Sequence, residues 1–385
     1  MGSAGSCRGK VQEMLGIPEE RVPLEAESRG QFSWDGNVGE RWVFTSEPGS
    51  RIPAVLYRPQ EPAGKMPAIV LTYGHGGSKS SWQYNYAGLL YARLGIACLA
   101  IDPLGEEERH REGRMGTRAH DPEPVSRSAD AAGRLIMGKL VFDTMRGIDF
   151  LMERADIDHD RIGVAGNSLG GAKAGWMVAV EPRINLAIVS GWAYDDVLLR
   201  TGKRCTRLPN QRVREFLTWA QYAALGAPEC AVLIMNGDAD LIIDQPGDGR
   251  VWRGTREAVG RAAKVYAALG AEGRIRAWFE PEGGHRPYFV YREALEWIHQ
   301  HLGTPAMTLA QIRELPTVNS GDWCDRHGIR LERLYGTRLH QRGATLPDLG
   351  LRPTPRERLS CLEPGELGLP GFTVEGWLRQ ITRPD

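Results

Sequence analysis

Long apolar runs are missing from this chain: nothing in its 385 residues approaches the roughly 18 needed to span a bilayer. Charge of one sign is missing too. Lys and Arg total 48 and Asp and Glu total 48, so no net field draws the chain toward nucleic acid or an anionic membrane. Cysteine is sparse, with six scattered at positions 7, 98, 205, 230, 324 and 361. Cys98 and Cys230 fall in apolar runs, where free buried thiols are common. A reducing, cytoplasmic compartment is therefore the simplest expectation, with a pairing of Cys205 to a C-terminal cysteine as the alternative. Cys324-Asp325-Arg326-His327 offers two metal ligands but no second pair at a suitable spacing, so no metal site is expected. Gly74-His75-Gly76-Gly77 lacks the lysine of a phosphate loop, which argues against nucleotide binding. His299 and His301 sit near the end of an amphipathic segment, where helix-end electrostatics accounts for them. No basic region followed by an apolar core opens the chain. Met1-Gly2-Ser3-Ala4-Gly5-Ser6 reads as an expression remnant, which leaves a secreted or periplasmic origin with the leader removed as a second possibility. There is no internal repeat. What remains, 42% hydrophobic and 25% charged residues, is an ordinary globular composition.

Four local patterns stand out against that background. Gly166-Asn167-Ser168-Leu169-Gly170 follows the apolar run Arg161-Ile162-Gly163-Val164-Ala165 and precedes the small-residue stretch Gly171-Ala172-Lys173-Ala174-Gly175-Trp176. A strand that breaks into G-x-S-x-G and turns at once into a helix strains the serine and exposes its hydroxyl. The flanking glycines are needed because the turn has no room for a neighbouring Cβ. Free N–H groups at the helix start favour negative charge developing beside Ser168. Downstream, the buried-strand run 230–235 ends in Asn236-Gly237-Asp238-Ala239-Asp240. Asp240 is the expected orienting acid, with Asp238 and Asp244 as alternatives. A further short strand, 275–279, leads to Glu280-Pro281-Glu282-Gly283-Gly284-His285. The paired glycines let the chain carry His285, the expected base, back across the sheet. Upstream, the strand 68–72 runs into Tyr73-Gly74-His75-Gly76-Gly77-Ser78. Gly76 or Gly77 would point a backbone N–H at an oxyanion, with the N–H of Leu169 as the other donor. His75 precedes that pair and is expected to be structural.

These pieces, in this order, resemble the α/β-hydrolase superfamily over about residues 50 to 303. The pairing of Gly74-His75-Gly76-Gly77-Ser78 with Asp102-Pro103-Leu104-Gly105-Glu106 looks like its acetyl xylan esterase and dienelactone hydrolase-like branch. Dienelactone hydrolases carry a cysteine nucleophile, whereas position 168 is serine, which points to the esterase side. The resemblance implies a mostly parallel sheet with helices on both faces, and a Ser168–His285–Asp240 triad. It also implies a small-molecule ester, such as an acetylated carbohydrate, as substrate, with no metal or organic cofactor. A peptidase, thioesterase or lactonase on the same scaffold, or a non-catalytic binder, is the alternative.

The remaining sequence is organised around that body, 51–303. Residues 1–50 read as a lead-in with a short helix, 9–15, and strands at 31–34 and 41–45. Strands at 52–57 and 96–101 flank a helix at 81–94. Met137, Val141, Met145, Ile148 and Met152 recur at helical spacing over 134–154. Two stretches exceed ordinary connections. The first, 103–133, is dense in charge (Glu106, Glu107, Glu108, Arg109, His110, Arg111, Glu112) and reads equally as a solvated loop or as a rim of the substrate entrance. The second, 192–228, is lid-like. Its Trp192, Tyr194, Leu208, Phe216, Trp219 and Tyr222, with Trp82 from the earlier helix, either line a substrate pocket or glue small helices to the body. Arg200, Lys203, Arg204, Arg207, Arg212 and Arg214 form a basic cluster expected to be solvated. Residues 304–385 are punctuated by proline, with helices only at 309–315 and 374–381. Trp323, Tyr335, Leu346, Leu349 and Leu351 suggest a tail packed on the body.

Overall fold

The structure, a computed structural model, describes residues 4–196, 211–244, 247–331 and 340–382. Leu208, Tyr335, Cys205, Arg200, Lys203, Arg204 and Arg207 lie outside the described residues. Among the described residues no helix is long and apolar enough to cross a membrane.

The strands are β1 (Glu27–Trp34), β2 (Asn37–Glu47), β3 (Ser50–Pro59), β4 (Met66–Thr72), β5 (Ala97–Ile101), β6 (Ile157–Asn167), β7 (Leu186–Ser190), β8 (Ala231–Gly237) and β9 (Ile275–Glu280). They form one sheet in the order β1-β2-β3-β5-β4-β6-β7-β8-β9. The first three strands are antiparallel hairpins, and β3 meets β5 antiparallel. From β5 to β9 every pairing is parallel. β4, β5, β7 and β8 are buried along their whole length, which is why their sequences read as continuous apolar runs rather than alternating ones.

Right-handed crossovers then decide where the helices go. The step from β4 to β5 runs one way along the sheet and the later steps run the other, so their helices lie on opposite faces. Trp82–Arg93 lies on one face, where Tyr84 stacks on Phe289 at 5.6 Å, just ahead of the helix Arg292–His301. Ile136–Met152, Leu169–Val180 and Arg250–Ala268 occupy the other. The connections leave the adjacent strands β4 and β6 in opposite directions along the sheet, and the crevice outside the carboxyl ends of strands at such a switch point is where ligands bind in open α/β sheets.

The charged run in the first long stretch is divided: Arg111 and Glu112 are exposed and pair with each other, whereas its first five residues are not solvated. Glu106, Glu107, Glu108, Arg109 and His110 are all buried. Lys79 bonds Asp102 and, at 2.7 Å, Glu108. Burial alone would lower the Lys79 amine, but the Asp102 and Glu108 carboxylates outweigh it and hold it well above its usual range. Glu108 also accepts the N–H groups of Cys361 and Leu362, and Arg356 pairs with Glu107. Ion pairs to the C-terminal segment, which no local sequence window can reveal, turn this run inward. That segment is anchored elsewhere too: Trp377 is buried with its indole N–H on Glu47, and Asn85 and Thr354 exchange two hydrogen bonds of 2.9 Å. At the other end, the helix Ala4–Leu15 buries Val11, Met14 and Leu15, and Arg8 donates to the carbonyls of Val178, Ala179 and Leu225. Cys7, Cys98, Cys230, Cys324 and Cys361 are free thiols.

Candidate active site

β6 ends at Asn167, and the helix Leu169–Val180 begins two residues later. Ser168 makes the whole turn alone, at φ 64° and ψ −122°. Such a conformation costs a residue bearing a Cβ about 1–3 kcal/mol, and it persists only where the surroundings enforce it. The enforcement is visible at the glycines. A Cβ at Gly166 or at Gly170 would sit 2.1 Å from the Thr72 carbonyl oxygen, and one at Gly171 would sit 2.2 Å from that of Ser190. The helix start is thus wedged between the ends of β4 and β7. The Thr72 hydroxyl holds the wedge shut by donating to the Gly170 carbonyl at 2.7 Å.

The Asp240 turn and the His285 loop come together beside this elbow. His285 Nδ1 lies 2.7 Å from Asp240 Oδ2, and both residues are buried. The other carboxylate oxygen, Oδ1, accepts the N–H groups of Ile242 (2.9 Å) and Ile243 (3.3 Å). The two alternative acids are engaged elsewhere. Asp238 accepts the Glu282 N–H, and Asp244 accepts those of Gly249 and Val251 at the start of the helix Arg250–Ala268. The His285 loop lies flat on the turn because a Cβ at Gly237 would meet the Gly283 carbonyl oxygen at 2.0 Å, and Ala239 N–H donates to that same carbonyl. A Cβ at Gly191 would be 2.5 Å from Asn167 Oδ1 and 3.0 Å from His285 Cε1, so this glycine is where the serine turn and the histidine meet. Ser168 makes no hydrogen bond to His285 in this structure. Such bonds are often long without substrate and tighten in the reacting complex.

The loop after β4 faces the elbow from the opposite side, with a Cβ position at Gly74 only 3.3 Å from Ser168 Cβ. The Gly74 N–H donates to the Tyr84 hydroxyl at 2.6 Å, and the Gly77 N–H closes a tight turn on the Gly74 carbonyl at 3.0 Å. That leaves Gly76, at φ 73°, as the glycine of this pair whose N–H makes no bond inside the loop. Leu169 opens its helix, so its N–H has no intrahelical acceptor.

Several residues that build this site carry no sequence signal. The Ser190 hydroxyl donates to Asn167 Oδ1 at 2.7 Å and accepts the Tyr288 N–H at 2.9 Å, linking the residue before the serine to the histidine loop. Tyr84, Thr72 and Ser190 are generic residue types inside buried segments, and only their partners identify them. Trp82, Trp192 and Tyr194 sit in packed aromatic clusters. Trp82 lies against Trp323 at 6.2 Å, and Trp192 and Tyr194 both pack edge-on to Trp219, which also meets Trp176. Phe216 is exposed, as is Arg212.

Comparison with known proteins bears on this arrangement at three levels. Residues 39–194 match the acetyl xylan esterase family (AXE1). YtaP of Bacillus subtilis (strain 168), which carries a provisional hydrolase name, is 24% identical over 192 residues, 47% of this chain. The match spans 62% of that relative's length. A Bacteroides fragilis NCTC 9343 structure provisionally described as an acetyl xylan esterase superposes with a TM-score of 0.57 at 16% identity, covering 72% of this chain and 74% of its own. A glucuronoyl esterase from Solibacter usitatus gives 0.56 at 15%, covering 76% and 91%. The strand order, the elbow after β6 and the sequence match over 39–194 agree: the chain has the α/β-hydrolase fold, and its segment 39–194 is similar to the acetyl xylan esterase family.

Proposed function

We propose that the protein is a serine carboxylester hydrolase that works through an acyl-enzyme. The observation that carries this reading is the buried His285–Asp240 pair, 2.7 Å apart, on the same sheet edge as a serine held at φ 64°. His285 Nε2 takes the proton of the Ser168 hydroxyl as Oγ attacks the ester carbonyl carbon. Asp240 keeps the Nδ1 proton on the opposite ring nitrogen and stabilises the imidazolium that forms. The developing oxyanion lies against the N–H of Leu169 and that of Gly76 or Gly77. Collapse of the tetrahedral intermediate breaks the ester C–O bond, and His285 returns its proton to the departing alcohol. A water that gives its proton to His285 then attacks the acyl carbon, the bond to Ser168 Oγ breaks, and His285 returns the proton to Oγ as the acid leaves. These steps involve only side chains and backbone of this chain.

The acetyl xylan esterase match favours a short acyl group, acetate on a carbohydrate, as the substrate. In this reading residues 51–303 are the catalytic body, 103–133 and 192–228 are its insertions, and 1–50 and 304–385 are flanking segments packed on it. The free thiols at Cys98, Cys230, Cys324 and Cys361, all buried, favour a reducing compartment. The test is hydrolysis of p-nitrophenyl acetate, butyrate and octanoate, with Ser168→Ala as control. Rates that fall with chain length and vanish in the variant support the reading. A rate that survives in Ser168→Ala overturns it, and so does failure of Ser168 to label with a fluorophosphonate.

A further inference from the structure

The first long insertion brings two residues against the loop after β4 that ester hydrolysis does not use. Donor atoms of His75, His120 and Asp121 all lie within 4.8 Å of one another. His75 Nε2 is 3.0 Å from Asp121 Oδ2, and His120 Nε2 is 3.6 Å from Asp121 Oδ1. His120 is only 1% exposed. Its Nδ1 is 2.6 Å from the Leu104 carbonyl oxygen, and a carbonyl can only accept, so the ring proton sits on Nδ1. That leaves Nε2 as the ring nitrogen open to a ligand. That nitrogen is fully buried, has no hydrogen-bond partner, and faces a carboxylate. The Nδ1–H tautomer turns an acceptor nitrogen toward that carboxylate, and a buried polar atom left unsatisfied typically costs about 1–3 kcal/mol.

A cation between them removes the conflict. Bonds of about 2.0–2.1 Å in a tetrahedron put neighbouring donor atoms about 3.3 Å apart, and Oδ1 of Asp121 lies 3.3 Å from His75 Nε2 and 3.6 Å from His120 Nε2. The Nδ1–H···O=C bond from His120 to Leu104 is the outer support that metal-bound histidines almost always have. Two imidazoles and one carboxylate form a donor set suited to zinc and its neighbours rather than to calcium or magnesium.

We propose that His75, His120 and Asp121 form a binding site for a divalent transition metal of the zinc class. His75 belongs to the loop that carries Gly76, and a Cβ at Gly76 would already lie 3.0 Å from Gly116 Cα of the insertion. Metal bound here would tie the two segments together beside the elbow. The fourth coordination position falls to water or to a ligand.

Cobalt(II) is the probe, because its visible ligand-field absorption reports a nitrogen- and oxygen-ligated site directly. Tag-free full-length protein, stripped with a chelator, is titrated with Co²⁺. The expected result is one Co²⁺ per chain with intense low-coordinate absorption and a raised melting temperature. Asp121→Asn and His120→Ala should each weaken binding about a hundredfold or more, and Ser168→Ala should bind like the parent. Should His120→Ala not fold, Asp121→Asn carries the comparison, since it keeps the side-chain volume. A parent protein that takes up no Co²⁺ overturns the proposal, as does binding that both variants retain within about threefold. The readout is free of turnover, so its outcome is independent of the ester-hydrolase reading.

Discussion

Replacing Asp240 by Asn changes a charge while keeping a shape, and the surrounding hydrogen bonds dictate which way the new amide faces. Oδ1 of Asp240 accepts two backbone N–H groups, from Ile242 and Ile243, so the amide oxygen must stay on that side. The NH2 group is then directed at His285 Nδ1, across the 2.7 Å contact. Nδ1 must become an acceptor, the ring proton moves to Nε2, and His285 can no longer take a proton from Ser168. The imidazolium of the transition state loses its counter-charge as well. In other Ser-His-Asp sites a wrong tautomer lowers kcat about 10⁴-fold, or about 5 kcal/mol of barrier, and the same size is expected here. Folding should change by only about 1 kcal/mol, because the backbone bonds to Oδ1 survive. The assay is p-nitrophenyl acetate hydrolysis alongside a urea midpoint. Asp244→Asn is the contrast: that carboxylate receives Gly249 and Val251 N–H groups at a helix start, so its loss should move the urea midpoint and leave the rate within about threefold. An Asp240→Asn enzyme within tenfold of the parent, or an Asp244→Asn enzyme that is folded and equally dead, refutes the reasoning.

Other perturbations follow from the same geometry. Gly170→Ala places a Cβ 2.1 Å from the Thr72 carbonyl and should destabilise by more than about 3 kcal/mol, seen as a large drop in urea midpoint or insoluble expression; a stable, active variant contradicts the wedge described above. Ser190→Ala frees the Tyr288 N–H and Asn167 Oδ1 and should cost about 1–3 kcal/mol, with kcat falling about tenfold while KM holds; an equal change in both would make its role binding rather than positioning. Burial would raise the Asp143 carboxyl, but the charges of Arg109 and Lys139 outweigh that and hold it well below the usual range. Its folded value lies below its unfolded one, so its stabilisation is full above about pH 4 to 5 and is lost as pH falls toward the folded value. Asp143→Asn should lose about 3–5 kcal/mol at pH 7, because it leaves the buried Arg109 without its carboxylate and Lys139 with Glu47 alone, and should flatten the acid limb of stability measured by thermal melts from pH 7 to 3. An unchanged acid limb would show that other carboxylates carry it.

The sequence by itself determined the elements whose cause is local. A strand that ends in G-x-S-x-G must leave glycines where β4 and β7 press against the turn, so Ser168 was legible from five residues. The parallel strands were legible because burial on both faces demands continuous apolar runs, and the helix Ile136–Met152 because its large apolar residues recur every three to four positions. Where the cause is a partner distant in the chain, only the tertiary structure decided. Asp238, Asp240 and Asp244 share one turn region and one chemistry, and what separates them is which oxygen reaches His285. Glu106 to His110 left a solvated loop and an entrance rim equally open, because their partners, Lys79 and the segment around Cys361, are remote in sequence. Trp192 and Tyr194 both pack edge-on to Trp219, a contact that no local window shows. His75 and His120 are 45 positions apart, and nothing in either neighbourhood points to the other. Local steric demands are written in consecutive residues; the satisfaction of buried charge and lone pairs is a property of the closed fold.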